Sequence, residues 1–189
     1  MSHKNNYASV DLFAGCGGLS LGFMLAGFNL VASYDNWAPA IETHRSNLAH
    51  PVHEFDLTNI SETTKHITKH YDPDVILGGP PCQDFSLANN KKSTTRANLT
   101  IQFAKIIANI KPTMFVMENV CTIRRSEHLS KAISIFKQAG YGLTQRVIDA
   151  SRVGVPQMRQ RFFLIGYRFK EDDFFGEALD HGLSDKRTT

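Results

Sequence analysis

Residues Val75 to Ser86, VILGGPPCQDFS, restrict the fold of this chain more than any other stretch. Val75, Ile76 and Leu77 are apolar and run into Gly78-Gly79-Pro80-Pro81, where two permissive residues and two with φ locked end a strand in a tight turn. Cys82 follows that turn directly. A thiol at the carboxyl end of a buried strand stands where open α/β sheets hold their ligands, because the loops there converge on a crevice. A buried free cysteine acting as a small hydrophobe is the other reading of the same residue.

The pattern around this strand repeats. Ala8 to Phe13 is a short apolar strand ending in Ala14-Gly15-Cys16-Gly17-Gly18, and Leu19 to Ala26 reads as a helix stopped by Gly27. Leu30 to Tyr34 is a second strand, followed by Asp35-Asn36-Trp37 and a helix from Ala38 to Leu48. Val52 marks a strand stub before Asp56, and Ser61 caps a polar helix to His70. The central strand covers Asp74 to Leu77. Leu99, Phe103, Ile106 and Ile110 recur at helical spacing, which predicts a helix over Ala97 to Ile110. Thr113 to Met117 is a strand ending at Glu118-Asn119-Val120. Leu129, Ile133 and Phe136 mark a helix that Gly140 ends, and Tyr141 to Ala150 and Arg161 to Tyr167 are two further strands. Strands separated by helices of this length predict βαβ units and a doubly wound, mainly parallel α/β sheet.

Composition sets the class. With 189 residues, 42% hydrophobic and 21% charged, the chain has the size and balance of one folded domain. No apolar run approaches the roughly 20 residues that cross a bilayer, so no membrane partner is expected. MSHKNNYASV carries no signal-peptide pattern, so the cytoplasm is the expected compartment. Cys16, Cys82 and Cys121 form no CxxC pair, which argues against a structural metal and fits reduced thiols. From Arg168 onward there are 4 basic and 6 acidic residues, so the net charge of +3 rests on the preceding body, which permits a nucleic-acid partner. A basic polar stretch, Asn89 to Arg96, reads as an exposed loop.

The first glycine cluster invites a dinucleotide reading. Gly15 and Gly17 satisfy the first half of G-x-G-x-x-G, but Ser20 stands where the third glycine belongs, which weakens the NAD alternative. Asp35 and Asp56 at later strand ends suit the hydroxyl and amine groups of a nucleoside, and each also fits a local capping or turn role. Trp37 suits either stacking on a base or filling the core.

Four motifs in order now carry a resemblance. Asp11-Leu12-Phe13-Ala14-Gly15-Cys16-Gly17-Gly18, Gly79-Pro80-Pro81-Cys82-Gln83 with Phe85-Ser86, Glu118-Asn119-Val120, and Gln157-Met158-Arg159-Gln160-Arg161 resemble the motifs of the cytosine-5 DNA methyltransferase catalytic domain. The match runs from Val10 to Arg168. The resemblance implies a Rossmann-like fold, S-adenosylmethionine as cofactor and double-stranded DNA as partner. It places the cofactor along Phe13, Ala14, Gly15, Gly17, Gly18, Trp37, Asp56 and Pro80. Where the family commonly has an acid directly before the aromatic, this chain has Asn36, with Asp35 one position earlier, so the ribose contact is open between them.

The chemistry asks for these groups. Thiolate addition to carbon 6 of cytosine makes carbon 5 a nucleophile, which assigns Cys82 to covalent catalysis. Electron density then moves toward N3 and O2. Glu118 meets N3, and Arg161 with Arg159 meets O2, as the resemblance implies. Partial burial at a strand end is expected to raise the Glu118 carboxyl, and Asn119 is expected to hold the cysteine loop by hydrogen bonds or to act as a simple cap. The cytosine must leave the duplex. Gln83, Ser86, Lys91, Lys92 and Arg96 are the expected DNA contacts.

The resemblance implies a recognition domain and a final conserved segment after the catalytic region, and neither is expected within the twenty or so residues that follow Arg168. Residues 1–168 read as the catalytic and cofactor-binding domain, and 169–189 as a short acidic tail. Three origins stay open: one subunit of a split enzyme with a second polypeptide as partner, a truncated product, or a recombinant piece. The split reading predicts exposed apolar surface including Phe174 and Phe175. The alternative function is an inactive remnant or a non-catalytic DNA-binding or regulatory module of the same fold.

Overall fold

The computed structural model describes residues 7–81 and 99–188. Cys82, Gln83, Ser86, Lys91, Lys92 and Arg96 lie outside the described residues. The described strands are β1 (Ala8–Leu12), β2 (Asn29–Asp35), β3 (Val52–Glu54), β4 (Val75–Gly78), β5 (Met114–Val120), β6 (Tyr141–Asp149) and β7 (Gln160–Arg168). The helices are α1 (Gly18–Leu25), α2 (Ala38–Asn47), α3 (Ile60–His70), α4 (Leu99–Ile110), α5 (Glu127–Gln138) and α6 (Gly176–His181). The strands form one sheet in the order β3-β2-β1-β4-β5-β7-β6. β1 to β5 pair in parallel, and β7 runs antiparallel between β5 and β6. This is the doubly wound, mainly parallel α/β sheet.

The antiparallel hairpin has a simple cause. A parallel crossover needs a dozen or more residues, and the link between β6 and β7 offers only a single 3-10 turn, Ala150–Val153, and a short loop. Around β1 the alternation of side chains makes two layers. Val10, Leu12, Ile76, Phe115 and Met117 pack with Phe103, Ile106 and Phe136 of α4 and α5. Leu30, Val75, Leu77 and Val116 face the other way, toward Leu19 and Phe23 on α1. β4 is buried on both faces along its whole length, as its unbroken apolar sequence requires. Gly78 ends it because a Cβ there would stand 2.6 Å from the Phe103 ring and 2.8 Å from the Leu12 carbonyl.

Chain order reverses between β1 and β4, so their carboxyl ends open a crevice side by side, with Leu12 opposite Gly78. The predicted cap of α3 differs. α3 is capped by Asn59, whose Oδ1 accepts from the Glu62 N–H at 3.3 Å, so Ser61 lies inside the first turn. Residues after β7 fold back on β6: Arg146 donates to Asp173 and to Asp180 at 2.8–3.1 Å, and α6 packs there. Phe174 is 51% exposed and Phe175 half-buried. Among the described residues, no helix is long and apolar enough to cross a membrane, and no group of three His, Cys, Asp or Glu could hold a metal.

Candidate active site

The glycine-rich turn leaves β1 through an unusual backbone. Phe13 has φ 58°, a left-handed conformation that a residue with a Cβ rarely adopts, and Gly15 and Gly17 follow with φ 54° and 90°. Asp35 fixes the turn. Its Oδ2 accepts from the Gly15 N–H at 2.8 Å and its Oδ1 from the Trp37 N–H at 2.9 Å, so one carboxylate ties the ends of β1 and β2 together. The helix-cap role read for Asp35 is not the one it plays: α2 is capped at Trp37 without a side-chain bond, and Asp35 instead ties the two loops. Trp37 is 63% exposed, which removes it from the core and leaves its ring at the cleft.

Phe13, Gly15, Asp35, Asn36, Trp37 and Asp56 line one cleft of about 290 Å³ with Phe55, Leu57, Thr58, Pro81 and Leu99. Asp56 accepts from both the N–H and the hydroxyl of Thr58 through Oδ1, which makes a turn. Above Gly15 there is open space where a Cβ would point. Aromatic faces, carboxylates, a neutral amide and an uncovered glycine turn suit a purine, a ribose and an amine, so the cleft fits S-adenosylmethionine. Ala14, Gly17 and Gly18 build the turn and the start of α1 behind this lining.

Pro80, predicted on the cofactor side, lines the neighbouring cleft instead. That cleft, about 210 Å³, is formed by Gly79, Pro80, Pro81, Glu118, Asn119, Val120, Arg159 and Arg161. The two clefts meet at Pro81, the residue before Cys82. β5 carries Glu118 to its rim, and the antiparallel register sets Val120 opposite Arg161 on β7. Arg161 Nε lies 3.0 Å from Glu118 Oε1. Burial nevertheless raises the Glu118 carboxyl above its ordinary value, outweighing the guanidinium groups of Arg161 and Arg159, which lower it. A carboxyl raised in this way holds its proton more readily than an exposed one.

Asn119 is 5% exposed and spans the two strands. Its Nδ2 donates to the Pro80 carbonyl at 2.8 Å, and its Oδ1 accepts from the Val120 N–H at 2.9 Å. The cysteine loop is thus pinned at its first residues by β5. Sequence reasoning missed Phe55, Leu57 and Thr58. Their signal was position: they flank Asp56 just after β3, at the same sheet end where β1, β2, β4 and β5 contribute to the clefts.

A family model described as C-5 cytosine-specific DNA methylase matches residues 7–187. The chain is 52% identical over 181 residues to the Type II methyltransferase M.HindV of Haemophilus influenzae, covering 95% of this chain and 59% of the relative. It is 47% identical over 192 residues to the Type II methyltransferase M.HgiDI of Herpetosiphon aurantiacus, covering 91% and 62%. The chain therefore spans about three fifths of the length of these relatives. A solved E. coli protein encoded within a prophage, described as a DNA modification methyltransferase, superposes with TM-score 0.75 at 30% identity, covering 86% of this chain and 47% of that one.

Proposed function

The chain belongs to the C-5 cytosine-specific DNA methylase family, and from that premise we propose that it holds the reaction centre for methylating carbon 5 of cytosine in double-stranded DNA. Its setting is the modification half of a Type II restriction-modification system in the cytoplasm. The observation that carries this reading is the meeting of the two clefts at Pro81, one suited to a nucleoside cofactor and the other built around a raised carboxyl and two guanidinium groups.

S-adenosylmethionine, when bound, supplies an electrophilic methyl group. Trp37, Phe13 and Phe55 would enclose its adenine, Asn36 its ribose, and the Gly15–Gly18 turn its amino-acid end. Asn36 is preferred to Asp35 for the ribose because both Asp35 oxygens already accept backbone N–H groups. The Cys82 thiolate adds to carbon 6 of an extruded cytosine, and Glu118 delivers a proton to N3 as electron density arrives there. Arg161, with Arg159 beside it, meets the charge developing on O2. Carbon 5 is thereby made nucleophilic toward that methyl. Loss of the carbon 5 proton to a water molecule acting as base, return of the N3 proton to Glu118 and expulsion of the thiolate then restore the neutral aromatic ring. Gln83, Ser86, Lys91, Lys92 and Arg96 contact the DNA around the vacated position.

A second polypeptide segment belongs to this reading. Tyr7, Phe28, Val75, Met114, Tyr167 and Phe175 line an apolar groove of about 230 Å³ at the opposite end of the sheet, with exposed Phe174 beside it. Such a surface favours cover by protein.

The test is transfer of a labelled methyl group to DNA of mixed sequence, by the chain alone and with the part of M.HindV outside the match supplied as a second polypeptide. Label recovered as 5-methylcytosine, and lost in Cys82→Ser, is expected. DNA binding without cofactor binding would instead favour the non-catalytic module.

A further inference from the structure

Ser20 stands where a dinucleotide turn has its third glycine, and it is fully buried. Its hydroxyl lies 2.6 Å from Asp11 Oδ2 and 3.2 Å from Ser33 Oγ. Ser33 Oγ is 2.8 Å from His50 Nε2, and that nitrogen is 3.0 Å from Nε2 of the buried His44. His44 ends the chain under the glycine turn: its Nδ1 is 2.9 Å from where a Cβ on Gly17 would stand. Among the described residues, Asp11 Oδ1 and His50 Nδ1 are buried without a hydrogen-bond partner, and the His44 ring faces the Gly15 backbone. β1, α1, β2, α2 and the turn before β3 thus each contribute one link to a continuous polar line through an otherwise apolar layer.

Each link has one proton to place, so the direction of donation is set from the end. With Asp11 ionised, Ser20 donates to it and Ser33 donates to Ser20. His50 then carries its hydrogen on Nε2, directed at Ser33 Oγ and His44 Nε2. His44 Nε2 is a lone pair, and the His44 proton sits on Nδ1, facing the turn. With Asp11 protonated, the acid hydrogen goes to Ser20, Ser20 donates to Ser33, and Ser33 donates to a bare His50 Nε2. Two lone pairs would then confront each other across 3.0 Å unless His44 moves its hydrogen to Nε2. Its Nδ1 then turns a lone pair to the turn.

We propose that this buried line is a positioning device for the cofactor turn, in which the protonation state of Asp11 sets the tautomer of His44 and hence whether an N–H or a lone pair supports Gly15–Gly17. The proposal rests on the reading of that turn as the cofactor site.

The surroundings agree with it. Burial pushes the Asp11 carboxyl up to about 7 and lowers both imidazoles below their usual range, so the histidines stay neutral while Asp11 titrates. The Gly15 backbone favours a proton on His44, so the N–H tautomer is the supporting one. Asp35 on β2 is the outside charge acting on both ends, favouring a proton on His44 and on Asp11. α1 carries no charged residue, and Glu42 and Arg45 of α2 are exposed.

The first test is ¹⁵N NMR of the histidine rings in the cofactor-free chain between pH 6 and pH 8.5. His44 is expected to carry its proton on Nδ1 above pH 7 and on Nε2 below it, and S-adenosylmethionine affinity to fall toward acid by at most about tenfold per pH unit, the limit for one linked proton. Ser20→Ala breaks the line, so its His44 tautomer and its cofactor affinity should both become independent of pH. One His44 tautomer throughout, or an unchanged pH profile in Ser20→Ala, overturns the proposal. A tautomer that switches in a chain that binds no S-adenosylmethionine at any pH would sink the cofactor reading and leave the switch standing.

Discussion

Replacing Asn119 with alanine separates positioning from folding at this site. The side chain makes two bonds in a nearly dry place, to the Pro80 carbonyl and the Val120 N–H, and alanine leaves the Pro80 carbonyl facing a void. An unsatisfied buried group costs about 1–3 kcal/mol, so Asn119→Ala should lower stability by roughly 2 kcal/mol, read as a shifted urea midpoint with unchanged slope. The larger effect falls on the reaction. Pro80 and Pro81 carry Cys82, and misplacing a reacting group by about 1 Å costs on the order of 100-fold in rate. Single-turnover methyl transfer should therefore fall about 100-fold while S-adenosylmethionine affinity stays within about twofold, because the cofactor turn is held by Asp35 instead. Asn119→Asp, which keeps the acceptor for Val120 but loses the donor to Pro80, should show the rate loss too. A variant that loses the expected stability yet transfers methyl at the original rate would refute the claim that Asn119 positions the cysteine loop.

Four further outcomes follow. Glu118→Gln should slow transfer by about 100- to 10,000-fold and abolish the fall in rate that comes as pH rises and the raised Glu118 carboxyl loses its proton, measured in single-turnover reactions across pH. Gly17→Ala places a Cβ 2.5 Å from Leu48 Cδ1 at φ 90°, so S-adenosylmethionine binding measured by calorimetry should weaken at least about tenfold. Asp11, raised from 3.8 to about 7, favours the fold in its neutral form, so that contribution is full below pH 3.8 and disappears as pH rises through 7, on the order of 4 kcal/mol. Urea midpoints of Asp11→Asn should accordingly gain on those of the unaltered chain between pH 5 and pH 8. Arg146→Ala should speed amide hydrogen exchange in residues 173–181 while leaving β1 and β4 protected, since Arg146 ties Asp173 and Asp180 to β6.

Much of this site was legible because its parts sit at strand ends, where turn chemistry is written in consecutive residues. Phe13 to Gly18, Gly79 to Pro81 and Glu118 to Val120 each announce a sharp exit from an apolar run, and the sheet order brings those exits together. Asn119 was readable as a loop holder for the same reason. What was hidden depends on distant partners. Ser20 looked like a defect in a glycine motif, and only the facing of α1 against β1 and β2 reveals its buried bonds to Asp11 and Ser33. His44 and His50 lie six residues apart, a spacing that signals nothing until the end of α2 turns back toward β2. The acidic residues after β7 read only as a short acidic tail because their partner, Arg146, is about 30 residues away on β6. Asn59 and Ser61 are both good caps, and local propensity alone does not choose between candidates two residues apart.

The central claim is that Cys82 adds covalently to cytosine at the meeting point of the two clefts. The most direct measurement uses DNA whose cytosines carry fluorine at carbon 5, incubated with S-adenosylmethionine, the chain and the part of M.HindV outside the match. Fluorine at carbon 5 blocks the proton loss that would release the enzyme, so the adduct persists for mass spectrometry. The account predicts a peptide in which Cys82 is joined to a methylated, fluorinated dihydrocytosine. Methyl transfer to ordinary DNA with no such adduct, or an adduct on Cys16 or Cys121, would contradict it.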